Sequence, residues 1–274
     1  MRITAGQEQQ YYDDFYRPYF DYPEHCLRCD RASMLARLDD PADYYFERRR
    51  LFRAGLERLL AEPLAGRKVL DYGCGIGNWG VLLATEGAQV TLLDLSPVAA
   101  EVGLRLARIN GVSERVRALA RDASDLSCFR DGEFDLIHAG AALHHTLKYP
   151  GALAELVRVL KPGGTLVLVE TYGNNPLLNL ARRLRWRLSG EPKEAGEDIL
   201  LSDREIALLR PHFRRVEVQP MNLLAMAKRL FRGRFTREWV RRILRSLETA
   251  DGFLLGTFPF FRRYCGEVIV VAKK

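Results

Sequence analysis

Asp71, Gly73, Gly75 and Gly77 fall within seven consecutive residues, directly after the apolar pair Val69 and Leu70 and ahead of an amphipathic segment. That order describes a strand, a tight turn and the start of a helix. Glycine lets the backbone take positive φ and lets a ligand approach the main chain closely. The helix that follows presents N–H groups with no partner of their own. A nucleoside-type cofactor suits such a turn. Gly75, Gly77 and Gly80 also satisfy the G-x-G-x-x-G spacing of dinucleotide-binding turns. Asp71 separates the two readings, because its carboxylate can face a cationic ligand group and would repel a pyrophosphate.

A second apolar run, Val90 to Leu95, contains Asp94 near its end, placed to hold ribose hydroxyls. A third, near Arg117 to Ala120, runs into Asp122 and Ala123, suited to an adenine edge. Later, Leu160-Lys161-Pro162-Gly163-Gly164 makes a tight turn that feeds a strand ending in Glu170. Together these residues resemble the class I S-adenosylmethionine-dependent methyltransferases, closely over residues 42–171 and more loosely over the last strand. The branch they resemble includes the ubiquinone- and menaquinone-biosynthesis and natural-product enzymes.

The resemblance implies S-adenosylmethionine as cofactor and S-adenosylhomocysteine as product. It implies contacts from Asp71, Gly73, Cys74, Gly75, Gly77, Asn78, Asp94, Leu95, Asp122, Ala123 and Ala139. It also implies that the loop Ala139 to Thr146 borders the methyl group. His144 and His145 are then the candidates for a general base, with Glu170 and Tyr172 next. Methyl transfer is an in-line displacement in which the enzyme mainly aligns nucleophile, methyl carbon and sulfur; no metal is expected. The acceptor expected is an oxygen, nitrogen or carbon of a small, partly apolar molecule, whether natural product, quinone-like or lipid-like. An RNA methyltransferase is the alternative, suggested by the basic carboxy-terminal third. Against it stand the lack of a recognisable RNA-binding module and Asn174-Asn175-Pro176, which does not match the N-P-P-aromatic base-recognition pattern. A SAM-binding regulatory protein without turnover is a third reading.

The elements that position these residues follow from periodicity. Strands are expected near 68–72, 90–95, 115–120, 134–139 and 164–171, and helices near 78–86, 97–110 and 149–160. Their alternation predicts an α/β fold, a parallel sheet covered by helices on both faces; the family resemblance implies a doubly wound, seven-stranded Rossmann-like methyltransferase sheet. The ligand belongs at the carboxyl ends of the strands, at the switch point beside strand one. Family resemblance makes Gly266–Lys273 the antiparallel last strand. One domain is expected over 1–274: an amino-terminal helical cap (1–62), a SAM-binding core (63–171) and a carboxy-terminal half (172–274) with substrate-side helical insertions. Residues 42–61 read as a helix with a stripe of Tyr45, Leu51, Phe52, Leu56, Leu59 and Leu60. Residues 176–189 read as a basic helix, 190–200 as a loop, and Ser202 to Glu205 as a capping box.

Seven aromatics stand among residues 11–22, with Pro18 and Pro23 preventing one long helix. They suit either a lid over the site or packing on the sheet edge. Hydrophobic content of 47% and charged content of 28% place the chain among ordinary soluble globular proteins. The amino terminus lacks the apolar core of a signal peptide. Five cysteines, an odd number, suggest a reducing compartment and no disulfide framework. A cytoplasmic location follows, with peripheral membrane contact left open. His25, Cys26 and Cys29 lack the second ligand pair of a structural zinc site. The net charge of +7 is concentrated in residues 171–274, where 21 basic residues face 11 acidic ones. Nucleic acid is not the expected partner of this charge. Basic helices bearing aromatics can lie on membranes, but the segments Leu177–Leu188, Leu223–Phe231 and Phe253–Phe261 are expected to pack on the sheet and roof the pocket.

Overall fold

The computed structural model describes residues 5–189 and 200–274. The chain opens with α1 (Ala5–Tyr16), which ends just before Pro18 and passes into a 3-10 turn, Arg17–Phe20. Next comes α2 (Arg31–Asp39), unannounced by any clear periodicity and started by Asp30, whose side chain accepts from the Ser33 N–H. The helix expected over 42–61 divides into a 3-10 turn, Tyr44–Arg48, and α3 (Arg49–Leu59). Tyr45, Leu51, Phe52, Leu56 and Leu59 are buried, as the stripe predicts, and Leu60 is partly buried.

The alternating core follows: β1 (Lys68–Tyr72), α4 (Asn78–Thr85), β2 (Gln89–Asp94), α5 (Pro97–Ile109), β3 (Val116–Ala120) and β4 (Phe134–Gly140). After a single turn of helix, α6 (Leu143–Thr146), come α7 (Ala152–Val159) and β5 (Leu160–Thr171). The expected turn at Leu160–Gly164 is drawn into β5: the register against β4 slips between Phe134 and Leu136, so the turn residues form an irregularity within the strand. Beyond lie α8 (Pro176–Ser189), α9 (Asp203–Ala207), β6 (Arg215–Met221), α10 (Glu238–Thr257) and β7 (Glu267–Lys273). Of the loop expected at 190–200, residues 190–199 lie outside the described residues. The capping box at Ser202 and Glu205 is present at the start of α9.

The seven strands form one sheet in the order β3-β2-β1-β4-β5-β7-β6, with β7 antiparallel between β5 and β6. Side chains alternate between the faces. On β1, Val69 joins the apolar cluster that contains Leu51, Val81 and Leu92, whereas Leu70 joins the opposite cluster with Ile137, Leu166 and Val268. Both faces are therefore buried, as a doubly wound sheet requires. The switch point lies at β1, which has β2 on one side and β4 on the other.

Two of the three carboxy-terminal helical segments depart from expectation, whereas Leu223–Phe231 packs inward through Ala225 and Met226. Leu177, Leu180 and Leu184 of α8 face outward, while Arg182 of the same helix is buried. Phe253, Phe258 and Phe260 are also exposed. The reason is polar anchoring. Asn175 caps α8 through the Leu177 and Leu178 N–H groups and donates to the Tyr264 carbonyl, so the helix is held by its amino-terminal end rather than by its leucines. The segment between β6 and α10 is anchored in the same way. Asp251, fully buried, accepts the N–H groups of Leu223, Leu224 and Ala225 at 2.7–3.0 Å. Replacing Asp251 by Ala leaves three backbone donors without their acceptor, the Ala225 N–H among them buried. The Asp251→Ala variant is expected to lose about 3 kcal/mol in urea unfolding at unchanged m-value; a loss below about 0.5 kcal/mol would mean that this carboxylate does not hold the segment.

Candidate active site

The turn after β1 takes its shape from glycines. Gly73, Gly75 and Gly77 all have positive φ, and a Cβ on Gly73 would stand 2.5 Å from that of Ala142. Asp71 lies behind this turn, which corrects the expectation that it faces a ligand. It shares the parity of Val69, so its side chain points to the α4 face of the sheet. The carboxylate is 1% exposed, accepts the Gly80 N–H at 2.8 Å through Oδ2 and lies 2.8 Å from His138 Nδ1 through Oδ1.

On the opposite parity, Tyr72 opens onto a cavity of about 1090 Å³ at the carboxyl ends of the strands. Gly73, Asp94, Leu95, Asp122 and Ala123 line one end of it. Asp94 Oδ2 accepts the Gly75 N–H at 2.8 Å and Oδ1 the Ser96 N–H at 3.0 Å, so the carboxylate is oriented and keeps lone pairs for a ligand hydroxyl. Burial pushes its pKa up to about 6 against the pull of those two N–H groups. Asp122 accepts the Ser124 N–H at 2.8 Å.

The loop after β4 supplies the middle of the cavity. Gly140, Ala141 and Ala142 line it, whereas Ala139 is fully buried in the sheet and makes no wall, a second correction. His144 and His145 both line the cavity, with ring centroids 4.2 Å apart. His144 Nδ1 lies 2.9 Å from Glu170 Oε2, while Glu170 Oε1 accepts the Ala142 and Leu143 N–H groups. Burial raises the Glu170 pKa, but the charge and hydrogen bond of His144, with Arg48 and His145 beyond, outweigh it and hold the carboxyl below its usual range. The imidazole is thus oriented by a carboxylate, the arrangement of a histidine base.

Helix α1 closes the cavity. Glu8, Tyr11, Tyr12, Phe15 and Tyr16 line it, which settles their role toward covering rather than edge packing. Glu8 lies 3.7 Å from both His145 and Lys148, Ser96 donates to Asp13, and Arg105 holds the Tyr19 carbonyl at 2.8 Å. The Tyr16 hydroxyl would stand 2.9 Å from a Cβ on Gly75, and burial beside Asp94 pushes its pKa up. That ring explains why Cys74, Gly75, Gly77 and Asn78 sit behind the cavity wall: α1 lies over the turn. Asn78 is spent on Tyr45 and Cys29, and Cys74 Sγ on the Gly75 carbonyl. Sequence reasoning missed the far end of the cavity, where Arg48, Arg182, Arg229, Arg232 and Phe235 stand. Only the basic surplus of the last third hinted at it.

A family model described as a methyltransferase domain matches residues 45–205. The chain belongs to this methyltransferase family. It is a class I S-adenosylmethionine-dependent member, and the curated relatives it matches include enzymes named for menaquinone and ubiquinone biosynthesis. It is 38% identical over 133 residues to a demethylmenaquinone methyltransferase of Clavibacter sepedonicus, covering 48% of this chain and 51% of that one. It is 38% identical over 115 residues to a ubiquinone biosynthesis O-methyltransferase of Xanthomonas oryzae pv. oryzae, covering 41% and 46%. The chain thus spans about half the length of the curated relatives it matches. Among solved structures, the cyclase SpnF superposes with a TM-score of 0.57 at 21% identity, over 100% of this chain and 97% of that one. That likeness concerns the fold.

The methyltransferase cavity fits its family's cofactor at the Asp94 end, where a carboxylate faces a cleft with apolar flanks at Leu95 and Ala123. The Asp94 pKa gives a pH test. Above about 6 the carboxylate is an anionic acceptor, and below that it is protonated. S-adenosylhomocysteine affinity is expected to be flat above that pH and to fall by up to about tenfold per pH unit below it. Asp94→Ala is expected to weaken binding about tenfold at neutral pH and to remove the break. Calorimetry on both proteins checks this; an unchanged affinity in the variant would remove Asp94 from the cofactor site.

Proposed function

We propose that this protein transfers a methyl group from S-adenosylmethionine to an oxygen, nitrogen or carbon of a small, partly apolar acceptor enclosed beneath α1. The observation that carries the reading is one cavity lined by both Asp94 and His144, the latter oriented by Glu170. Bound at the Gly73, Asp94, Leu95, Asp122 and Ala123 end, the cofactor supplies a methyl group on a sulfonium that departs as a neutral thioether. Asp94 accepts ribose hydroxyls, Asp122 addresses the adenine edge, and the tyrosines of α1 exclude water. His144 takes a proton from a hydroxyl or amine acceptor, while Glu170 holds the ring and stabilises its charged form. Residues 1–62 act as cap, 63–171 as cofactor core and 172–274 as the acceptor side of a single domain. The small-molecule substrates named for the relatives favour this reading over RNA. The cyclase on the same fold is a reminder that fold alone does not choose the chemistry.

The exposed Leu177, Leu180, Phe253, Phe258 and Phe260 support a further part of the proposal. They lie in the basic third of the chain, and the start of α8 is tied to Tyr264, whose ring meets Phe260. Such a surface suits peripheral contact with an anionic membrane, a source of apolar acceptors. Among the described residues, no helix is long and apolar enough to cross one.

Two measurements follow. His144→Ala is expected to lower kcat by about 10²-fold or more for a hydroxyl acceptor with S-adenosylhomocysteine affinity unchanged; full turnover in that variant would leave the ring a packing group. In vesicle sedimentation, the protein is expected to favour phosphatidylserine-containing over neutral vesicles, and Phe253→Ser with Phe260→Ser to abolish the binding. Wild-type protein that ignores both vesicle types would remove the membrane contact.

A further inference from the structure

Among the described residues, the far end of the cavity carries more positive charge than the carboxylates beside it neutralise. Glu267, at the start of β7, is fully buried and receives Lys228 Nζ at 2.8 and 2.9 Å, Asn222 Nδ2 at 2.5 Å and Arg48 Nε as an ion pair at 3.3 Å. Arg229 adjoins the same group. Arg232 is matched by Glu47 in a two-pronged pair at 2.7 and 2.9 Å, and Arg182 donates to Asn179 Oδ1 at 2.6 Å. One carboxylate, Glu267, is therefore shared among Lys228, Arg48 and Arg229. Glu170 is the next carboxylate, and it is committed to His144 and two backbone N–H groups. Among the described residues, Arg48 Nη2 and Arg229 Nε are buried with no hydrogen-bond acceptor, and Arg48 Nε has only its ion pair with Glu267, although both side chains line the cavity. Burying unpaired charge is costly, and proteins normally pair it or shed it. A guanidinium cannot shed its proton at ordinary pH.

We propose that the acceptor carries an anionic group, a phosphate or a carboxylate, that seats against Arg48 and Arg229 on the β5–β7 side of the cavity. The inference rests on the methyl-transfer reading and names the class of molecule it takes: an apolar body with an acidic head. Planar guanidinium groups match both anions through paired N–H donors. An anionic head would also use part of the basic surplus of residues 171–274, through Arg229, which the cofactor end of the cavity leaves unused. Phe235 and Tyr44 line the same cavity and offer apolar contact for the body of the ligand.

The test uses three probes with one alkyl chain, n-octyl phosphate, octanoate and octanol, titrated into the full chain saturated with S-adenosylhomocysteine. At least one anionic probe is expected to bind about tenfold or more tighter than octanol. Arg229→Gln and Arg48→Gln are each expected to lose about tenfold in affinity for that anion, with octanol and S-adenosylhomocysteine affinities unchanged. The tighter of the two anions distinguishes a phosphate from a carboxylate head. Equal binding of all three probes to the wild type would overturn the proposal, even if neither variant folds. So would a loss of S-adenosylhomocysteine affinity in folded Arg229→Gln, which would assign the arginine to the cofactor's own carboxylate. Failure of wild-type protein to bind S-adenosylhomocysteine at all would instead strike the methyl-transfer reading.

Discussion

A carboxylate buried at the end of β1 braces the whole site. Asp71 has no water to bond, so both its oxygens must find partners inside the protein. One takes the Gly80 N–H and draws the first turn of α4 against the sheet; the other meets His138 on β4. Gly80 tolerates that approach because it has no side chain: a Cβ there would lie 2.3 Å from Leu92. With α4 so placed, the turn between is short and left-handed at three glycines. Its Gly75 N–H then points at Asp94 on the neighbouring strand. The acidic group that faces the cavity is thus oriented by a chain of contacts that starts at the acidic group that does not.

The rest of the cavity is assembled from pieces distant in sequence, each fixed by polar contacts at its ends. Helix α1 is fastened to the β4 loop through Glu8 and to the start of α5 through Asp13, so its tyrosines are held across the opening. The segment from Asn222 onward is fixed by Asp251 and by the Lys228–Glu267 pair. For Glu267, burial raises the pKa, and Lys228 and Arg48 more than offset it, bringing it down to about 2. That stabilisation is present above the usual glutamate range and is lost as pH falls toward about 2. Hydrophobic packing builds the sheet, and buried ion pairs decide where the coverings sit. Interactions of this kind define position more than they add stability.

Much of the core was legible because its signals are local. Gly73 to Gly80, Asp94 and Asp122 follow apolar runs at fixed offsets, and all five parallel strands of the core lie within a few residues of their expected places. What local pattern does not carry is direction. Asp71 and Tyr72 are neighbours, yet strand parity sends one behind the turn and the other to the cavity. The stripe on α8 is amphipathic from sequence, but its polar anchors, Asn175 and Tyr264, turn the leucines outward. The arginine-rich end was illegible for a related reason. Arg48, Lys228, Arg229 and Glu267 meet only after β7 has been inserted between β5 and β6, and no spacing in the chain records that meeting.

The proposed mechanism needs one space to serve both cofactor and acceptor. A crystal structure of the protein with S-adenosylhomocysteine tests it most directly. The expected result is ribose hydroxyls on Asp94, the adenine beside Asp122 and Ala123 under the α1 tyrosines, and the sulfur opening toward His144 and the arginine-lined end. A ligand bound outside this cavity, or one whose sulfur faces away from His144, would contradict it.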